Sequence, residues 1–372
     1  MNTRASNAPS WLSRWIGERG LLLFAVLLGA SLIAAACSDD DGDDADSAAA
    51  AADAAIETLD FDFMAGFRAQ ANLPFVAVYV ADQQGFFDDV GLNVDIKHAA
   101  LGTSEHIQLV AAGEIDLTTQ PASEVIQRRS GAGVPLVAIA LFGQRGDLGY
   151  AVLEDSDIAS TADFSGKTVG VKGVVQSEFL ALLQEAGLRI DDVNLVDVGF
   201  NPAVLSEGEV DVYPVFLSNE PDTLRRVIGA PVRVFEAADV GVPTLGVSYV
   251  VTEDFLTDEV NREKLRRFLL ATMRGFQFAL DNPAAAIEAT QAFISDEADL
   301  VHERFILDTE LGNAVSDETD ATGLGTFTLD QFQALHDVLL EFGGIEEGIE
   351  VRDAIDTSII ETLYDDGALI EG

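Results

Sequence analysis

Residues 67–124 read FRAQANLPFVAVYVADQQGFFDDVGLNVDIKHAALGTSEHIQLVAAGEIDLTTQPASE, and this stretch decides the fold. From Phe75 onward apolar side chains recur at helical spacing, whereas residues 91–96 alternate with the period of a strand. A second helix then ends at Gly113, and residues 115–119 form the next strand before a further helix begins. Strands that alternate with helices in this way predict a parallel sheet covered by helices, which is an α/β fold.

The carboxyl ends of these strands are the expected place for a ligand. Ligands collect beyond the carboxyl ends of parallel strands, where helix N-termini present free N–H groups and a positive dipole end. Thr103 and Ser104 can equally cap the second helix, and Ser123 can cap the third. The candidates for ligand contact in this stretch are Asn72, Phe75, Thr103, Ser104, Gln120 and Ser123.

The composition describes a folded, strongly acidic protein. The chain has 372 residues, is 48% hydrophobic and carries a formal net charge of −43, with only four lysines. Nucleic acid is excluded as a partner because phosphate binding needs clustered Lys and Arg. The charge is typical either of a salt-adapted organism, in which it maintains solubility, or of an acidic exported protein with an acidic linker.

The N-terminus has the pattern of a targeting segment. Arginines precede an apolar run at residues 21–33, which is too short to span a membrane comfortably. Small residues then lead to Cys37, the single cysteine, in a pattern that resembles a bacterial lipobox. We predict a lipoprotein signal peptide over residues 1–37, a lipid on Cys37 and a disordered Asp/Ala linker over residues 38–60. The alternative is an ordinary signal peptide with an incidental cysteine.

The joint between helix and strand occurs twice. Residues 113–116 read Gly-Glu-Ile-Asp and residues 208–211 read Gly-Glu-Val-Asp, and each follows a helix and opens a strand. The repeat predicts two similar parallel-sheet lobes that face a ligand cleft, with residues 149–153 and 241–251 as paired crossover strands. A hinge at the crossovers would let the lobes close on a ligand. The predicted bounds are 61–155 for the first part of lobe 1, 156–244 for lobe 2, and 245–372 for the rest of lobe 1. Helices are predicted at 262–281, 283–294, 299–311 and 329–342, with a last one that ends near Tyr364.

Sequence signals of catalysis are absent. The four histidines are scattered, and the chain has neither an HExxH motif nor the glycine-flanked serine of a hydrolase elbow. A phosphate-binding P-loop is also absent, so a transport ATPase would have to be a separate protein. We therefore expect a protein that is not an enzyme and has no cofactor and no metal.

Several segments together resemble a known family. The similar segments are residues 72–81, 85–87, 91–94, 104–105, 113–116 and 166–171. They resemble the substrate-binding lipoproteins of ABC importers, in the thiamine-pyrimidine and sulfonate-binding family with the type II periplasmic binding protein fold. The resemblance implies a monomer that captures a small ligand outside the cytoplasm and delivers it to a permease driven by an ATPase.

The resemblance also suggests a ligand. Thiamine-pyrimidine binders of this family carry Pro-Asn-x-x-His before the first helix, whereas this chain has Ala71 and Phe75 at the first and last of those positions. Residues 142–146, 211–222 and 241–244 look most like riboflavin-binding lipoproteins, so we expect riboflavin. The alternatives are a thiamine pyrimidine precursor, an alkanesulfonate, a ligand sensor without a permease, and a pyrimidine-synthase enzyme of the same fold.

A flat heteroaromatic ligand is held by aromatic stacking and a few placed hydrogen bonds. The chain has no tryptophan after Cys37, so Phe and Tyr would have to provide the stacking. Phe75 and Phe216 can equally be core residues, and Asn201 can be a turn residue. The remaining candidates for ligand contact are Phe142, Gln144, Gln176, Ser177, Asn201, Tyr213, Phe216, Asn219 and Glu220.

Overall fold

The computed structural model describes residues 57–100 and 103–370. Its strands are β1 (Leu59–Ala65), β2 (Leu92–His98), β3 (Leu117–Pro121), β4 (Leu136–Leu141), β5 (Leu148–Leu153), β6 (Thr168–Val171), β7 (Asn194–Asp197), β8 (Tyr213–Phe216), β9 (Val232–Phe235), β10 (Val247–Thr252), β11 (Tyr364–Asp365) and β12 (Ala368–Leu369). Its α-helices are α1 (Leu73–Gln83), α2 (Phe86–Asp89), α3 (Glu105–Ala111), α4 (Ala122–Ala132), α5 (Ser177–Glu185), α6 (Ala203–Ser206), α7 (Glu220–Asp222), α8 (Glu253–Leu256), α9 (Glu259–Asp281), α10 (Pro283–Thr290), α11 (Leu300–Ala314), α12 (Asp317–Thr322) and α13 (Leu329–Glu341).

The larger sheet has the strand order β2-β1-β3-β10-β4. Strand β1 pairs in parallel with β2 and β3, and β10 runs antiparallel between β3 and β4. The first helices and strands therefore alternate as the sequence predicts, with β10 as an antiparallel insertion. We call this sheet and the helices that pack on it lobe 1.

Strands β5 to β9 form lobe 2, together with the helices between them. Strand β5 pairs antiparallel with β8 and β9, and β6 pairs in parallel with β7. A parallel bridge from Val169 to Val212 joins β6 to the residues that lead into β8. The resulting order, β7-β6-β8-β5-β9, repeats that of lobe 1, with β5 in the antiparallel position of β10.

The prediction that residues 149–153 and 241–251 form paired crossover strands is wrong. Their apolar runs do form β5 and β10, but each strand lies inside the sheet of a different lobe. The chain crosses between lobes at residues 142–147 and 236–246, where the N–H of Gly246 donates to the carbonyl oxygen of Gly143 at 2.9 Å. A Cβ on Gly143 would lie 2.9 Å from Cα of Gly246, so this contact requires glycine. We propose that the lobe boundaries follow these two segments.

The repeated Gly-Glu-apolar-Asp motif has the same role in both lobes. Asp116 accepts the N–H of Asp62, in the middle of β1, at 2.9 Å. Asp211 accepts the N–H of Thr168, the first residue of β6, at 2.8 Å. Each aspartate therefore ties the start of one strand to the neighbouring parallel strand, and the predicted duplication of the lobes is confirmed.

The core of lobe 1 surrounds helix α1. Nine consecutive residues of α1, Leu73 to Ala81, are buried, so the helix is covered on all sides. Its closest neighbour is α9, in which a Cβ on Gly275 would lie only 2.1 Å from the carbonyl oxygen of Ala77. The ring of Phe268 on α9 stacks on Phe61 of β1 at 4.5 Å. Helix α9 thus fixes both the first helix and the first strand.

Two predictions fail at the ends of the described chain. Strand β1 begins at Leu59, inside the predicted linker, because Leu59 already pairs with Leu92 of β2. The predicted last helix is replaced by short 3-10 turns and the β11–β12 hairpin. Ile355, which lies between these turns and has an extended backbone, forms a parallel bridge with Ala138 of β4. The predicted signal peptide, the lipidation site Cys37 and residues 38–56 of the linker lie outside the described residues.

Candidate functional site

A cavity of about 190 Å³ lies in lobe 2 at the carboxyl ends of β6 and β8. Most of its wall is apolar, because β5, β6 and β8 contribute Val, Pro, Tyr and Gly here. The segment after β6 adds Lys172 and Gln176, and Phe200 and Phe216 complete the wall. The cavity thus occupies the position at which the sequence predicts ligand binding in lobe 2, and it contains two of the predicted residues, Gln176 and Phe216.

Lys172 is the central polar residue of this site. Its Nζ lies 2.5 Å from Oε1 of Glu220, and the two side chains are 11% and 6% exposed. The same Nζ lies 4.9 Å from the ring centre of Tyr213, 5.1 Å from that of Phe216 and 5.6 Å from that of Phe200. These distances are in the range of cation–π attraction, so three rings and one carboxylate stabilise the ammonium.

Glu220 connects this cation to the backbone. Its second carboxylate oxygen, Oε2, accepts the N–H of Phe216 at 2.8 Å. Glu220 therefore fixes the loop after β8 and neutralises Lys172 at the same time. Removal of either partner would leave a buried charge without compensation, which costs about 3–5 kcal/mol in proteins generally.

Two rings at the cavity are open to solvent. Phe200 is 77% exposed and Phe216 is 41% exposed, which is unusual for side chains of this size. Tyr213 is fully buried, and its hydroxyl donates to the carbonyl oxygen of Gly199 at 3.2 Å. Tyr213 thus contacts Lys172 from the buried side, whereas Phe200 and Phe216 present exposed surface on which a flat ligand can stack.

The other two predicted stacking residues lie in the core of lobe 1. Phe75 is buried on α1, with its ring edge-on to His98 at 6.5 Å. Phe142 is buried against Tyr249 at 4.4 Å and Phe276 at 5.4 Å. Because both rings are buried in the core, the expectation that they stack on a ligand is corrected.

Three predicted polar residues are committed to contacts inside the protein. Oε1 of Gln120 lies 3.2 Å from Nε2 of the buried His106. Gln144 donates to the carbonyl oxygen of Thr326 at 3.0 Å and accepts from Gln331 at 2.8 Å. Ser177 is buried next to Gly344, where an added Cβ would lie 2.5 Å from its Oγ. None of the three amides and hydroxyls faces the lobe 2 cavity.

Four further candidates are surface or turn residues. Thr103 is exposed and donates to the carbonyl oxygen of Ala100 at 2.9 Å. Ser104 precedes α3 but its side chain makes no capping hydrogen bond, so the alternative role as a helix cap does not hold. Asn201 accepts the N–H of Ala203 at 3.1 Å, which is the turn role given as its alternative. Ser123 is half-buried in the first turn of α4.

Asn219 takes part in a contact between the lobes. Its Oδ1 lies 3.0 Å from Nε2 of His302 on α11, and Nδ1 of the same ring lies 2.8 Å from Asp222. Arg226 reinforces this contact by pairing with Asp222 at 3.0 Å and with Asp299 at 2.6 Å. The short segment after β8 thus joins lobe 2 to helix α11 of lobe 1.

A pair of acidic residues lies beside this contact. Asp147, on the first crossover, accepts from the N–H and hydroxyl of Ser218 at 3.1 and 2.7 Å. Glu310, on α11, accepts the N–H of Leu73 at 2.6 Å and the side-chain amide of Asn72. Burial raises the pKa of Asp147 to about 7, and burial together with repulsion from Asp147 raises that of Glu310 to about 8. Asn72, predicted as a ligand donor, is therefore used to hold Glu310.

Four residues of this region were not predicted from the sequence: Lys172, Phe200, Asp147 and Glu310. Lys172 could have been found, because it is one of only four lysines and directly follows a predicted strand. The acids Asp147 and Glu310 carry no local signal, since 163 positions separate them along the chain, from 310 − 147. Among residues 57–100 and 103–370, His, Cys, Asp and Glu do not gather in threes that could hold a metal ion. Every helix of this same part is too short or too polar to cross a membrane.

The chain is similar to known binding proteins. A family model described as NMT1/THI5 like matches residues 72–286. The formylaminopyrimidine-binding protein of Halalkalibacterium halodurans is 30% identical over 72% of this chain and 76% of its own length. The riboflavin-binding protein RibY of Chloroflexus aurantiacus is 28% identical over 68% of this chain and 73% of its own length.

Solved structures agree with the observed topology. The putative periplasmic sulfonate-binding protein SsuA of Methylobacillus flagellatus aligns with a TM-score of 0.62 at 15% identity. The alignment covers 82% of this chain and 94% of that protein. At this identity the likeness shows the fold alone, which is that of the periplasmic binding proteins. The predicted fold class is therefore confirmed.

Proposed function

Because the chain belongs to the NMT1/THI5-like family, we propose that it is the solute-binding component of an ABC importer for a small heteroaromatic compound. It acts outside the cytoplasm as a monomer, anchored by a lipid on Cys37, and delivers its ligand to a permease driven by a separate ATPase. The observation that carries this proposal is the lobe 2 cavity with its exposed rings, Phe200 and Phe216. Two relatives whose names describe binding of a heterocycle support it.

The mechanism is closure of two lobes around the ligand. The ligand stacks on Phe216 and Phe200, and the amide of Gln176 supplies a hydrogen bond at the cavity wall. The crossovers at residues 142–147 and 236–246 act as the hinge, and a ligand bound to lobe 2 shifts the population toward a closed form in which lobe 1 covers it. The permease recognises that closed form.

Riboflavin is the first ligand to test. It is favoured by the resemblance of residues 211–222 to riboflavin-binding lipoproteins, and by the similarity to RibY. A second candidate is a formylaminopyrimidine. Pockets for larger organic ligands usually exceed about 300 Å³, and the cavity holds about 190 Å³, which fits a single ring better than a complete flavin. For riboflavin, only part of the ring system would enter the cavity.

The decisive experiment is a titration of the protein with riboflavin, followed by quenching of flavin fluorescence. Each aromatic stack contributes about 0.5–1.5 kcal/mol, so Phe216→Ala or Phe200→Ala is expected to weaken binding by about 2- to 12-fold. Val260→Ala is the matched control, because Val260 is an exposed apolar residue of lobe 1, 56% accessible. It should leave the dissociation constant unchanged.

The same protein is then titrated with formylaminopyrimidine by calorimetry. If the pyrimidine binds but flavin fluorescence is not quenched, the proposed transport role stands and riboflavin is excluded as the ligand. Failure of both ligands to bind would refute a heteroaromatic solute. Binding that is equally tight in Phe216→Ala, Phe200→Ala and the control would place the ligand somewhere other than this cavity.

A further inference from the structure

One ion pair lies at the wall of the lobe 2 cavity. Lys172 is the only charged side chain among the residues that line the cavity. An unpaired ammonium in an apolar cavity would attract sulfonates and phosphates strongly, because the surroundings screen charge poorly. Here the ammonium is paired with Glu220 at 2.5 Å, and both side chains are nearly buried. The one cationic side chain of the cavity wall is therefore already neutralised by a carboxylate.

The position of Glu220 is fixed by the backbone. One carboxylate oxygen accepts from Lys172, and the other accepts the N–H of Phe216 at 2.8 Å. The carboxylate cannot turn away from Lys172 without loss of the second hydrogen bond. An anion that reaches Lys172 therefore meets a negative charge that cannot move aside.

The three rings around Lys172 act in the same direction. Phe200, Tyr213 and Phe216 all lie with their ring centres within 6 Å of Nζ. The face of an aromatic ring is electron-rich, so it attracts the ammonium and repels an approaching anion. An uncharged ring, in contrast, can stack on the exposed faces of Phe200 and Phe216 at no electrostatic cost.

We propose that Glu220 is a specificity-determining residue that makes this site accept uncharged heterocycles and reject ligands with a sulfonate or phosphate group. This inference rests on the proposed function for the location of the site. It predicts that this chain does not bind alkanesulfonates and that it binds riboflavin in preference to riboflavin 5′-phosphate.

Two arms of the test need no variant. Thermal unfolding of the protein is measured with and without ethanesulfonate at constant ionic strength, because salt alone screens surface charge. We expect no specific stabilisation by ethanesulfonate. Flavin titrations are expected to give at least tenfold weaker binding for riboflavin 5′-phosphate than for riboflavin. Stabilisation by the sulfonate, or equal affinity for both flavins, would overturn the inference.

The third arm exposes the cation. In Glu220→Gln, the amide oxygen can still accept the N–H of Phe216, but Lys172 loses its counter-charge. Ethanesulfonate should now raise the midpoint of thermal unfolding, and the difference in affinity between riboflavin and riboflavin 5′-phosphate should become smaller. In the double variant with Lys172→Met both effects should disappear. Glu185→Gln is the matched control, since it removes the same charge from an exposed position at the end of α5.

The outcomes separate the two proposals. If riboflavin and formylaminopyrimidine both fail to bind, the proposed heteroaromatic solute is wrong, and the ethanesulfonate arms still decide the role of Glu220. If a heterocycle binds but Glu220→Gln responds to ethanesulfonate no more than the control does, the transport role stands and the inference is overturned. Circular dichroism of each variant without ligand checks that it is folded.

Discussion

The close contact between α9 and α1 gives a sharp test of the core of lobe 1. Gly275 lies in the middle of α9, and an added Cβ would be 2.1 Å from the carbonyl oxygen of Ala77 and 3.2 Å from the amide nitrogen of Ala81 on α1. Carbon–oxygen contacts normally lie near 3.3 Å or above, so Gly275→Ala must move the two helices apart by about 1 Å. Backbone atoms of a buried helix cannot give way as a flexible side chain could.

The magnitude follows from two opposing effects. Overpacking of a core costs about 1–3 kcal/mol, and this clash with backbone belongs at the upper end of that range. Replacement of a helical glycine by alanine recovers about 0.5–1 kcal/mol of conformational free energy. We therefore expect Gly275→Ala to lower the free energy of unfolding by about 2 kcal/mol.

Gly312 supplies the matched control. It lies within α11, and an added Cβ would meet no atom within 4 Å. Gly312→Ala should therefore raise the free energy of unfolding by about 0.5–1 kcal/mol. Both variants are compared by urea unfolding, followed by far-ultraviolet circular dichroism because the tryptophans, Trp11 and Trp15, precede the described residues. Equal stability of the two variants would refute the close packing of α1 on α9.

Two further predictions concern the acidic pair at the crossover and the N-terminus. The folded-state pKa of Glu310 is raised to about 8 by burial and by repulsion from Asp147, so its contribution to stability is complete below about pH 4 and is lost as the pH rises toward 8. In urea unfolding, Glu310→Gln should flatten this decline by at most about 1.4 kcal/mol per pH unit, and an unchanged slope would contradict the assignment. Cys37→Ser should move the protein from the membrane fraction to the soluble fraction of its host cells, and a protein that stays on the membrane would exclude a lipid anchor at Cys37.

The frame of the protein could be predicted from its sequence because its signals are local. The motif that ends in Asp116 occurs again at Asp211, and a few neighbouring residues are enough to identify each copy. In both copies the aspartate accepts a backbone N–H from the neighbouring parallel strand. The crossover prediction failed because it depended on strand pairing between residues that are far apart in the sequence. Strands β5 and β10 have similar apolar patterns, and only their partners across the chain reveal that one belongs to each lobe.

The aromatic residues show a second limit. Phe75 and Phe216 both follow a predicted strand end. The sequence alone does not decide whether each ring lies in the core or in the ligand cleft. The difference arises from what packs over them. Helix α1 is enclosed by later helices, so Phe75 is buried, whereas Phe216 is the last residue of β8 and remains 41% exposed. Lys172 was missed for a related reason, because its partners come from three separate segments around Phe200, Tyr213 and Glu220.

The two lobes repeat the same strand order but differ at the ends of their strands, which bears on how this family can change its ligand. In lobe 1 the polar side chains at these strand ends form hydrogen bonds within the protein. Thr119 accepts the N–H of Gly66 at 2.8 Å, and Gln120 pairs with His106. In lobe 2 the equivalent ends hold Lys172, Glu220 and exposed rings around a cavity. The hydrogen bonds that set the sheets are made mainly by backbone atoms and the repeated aspartates, and neither aspartate is among the residues that line that cavity. A few substitutions after β6 and β8 could therefore change ligand specificity while the frame stays intact, which is consistent with relatives named for different heterocycles.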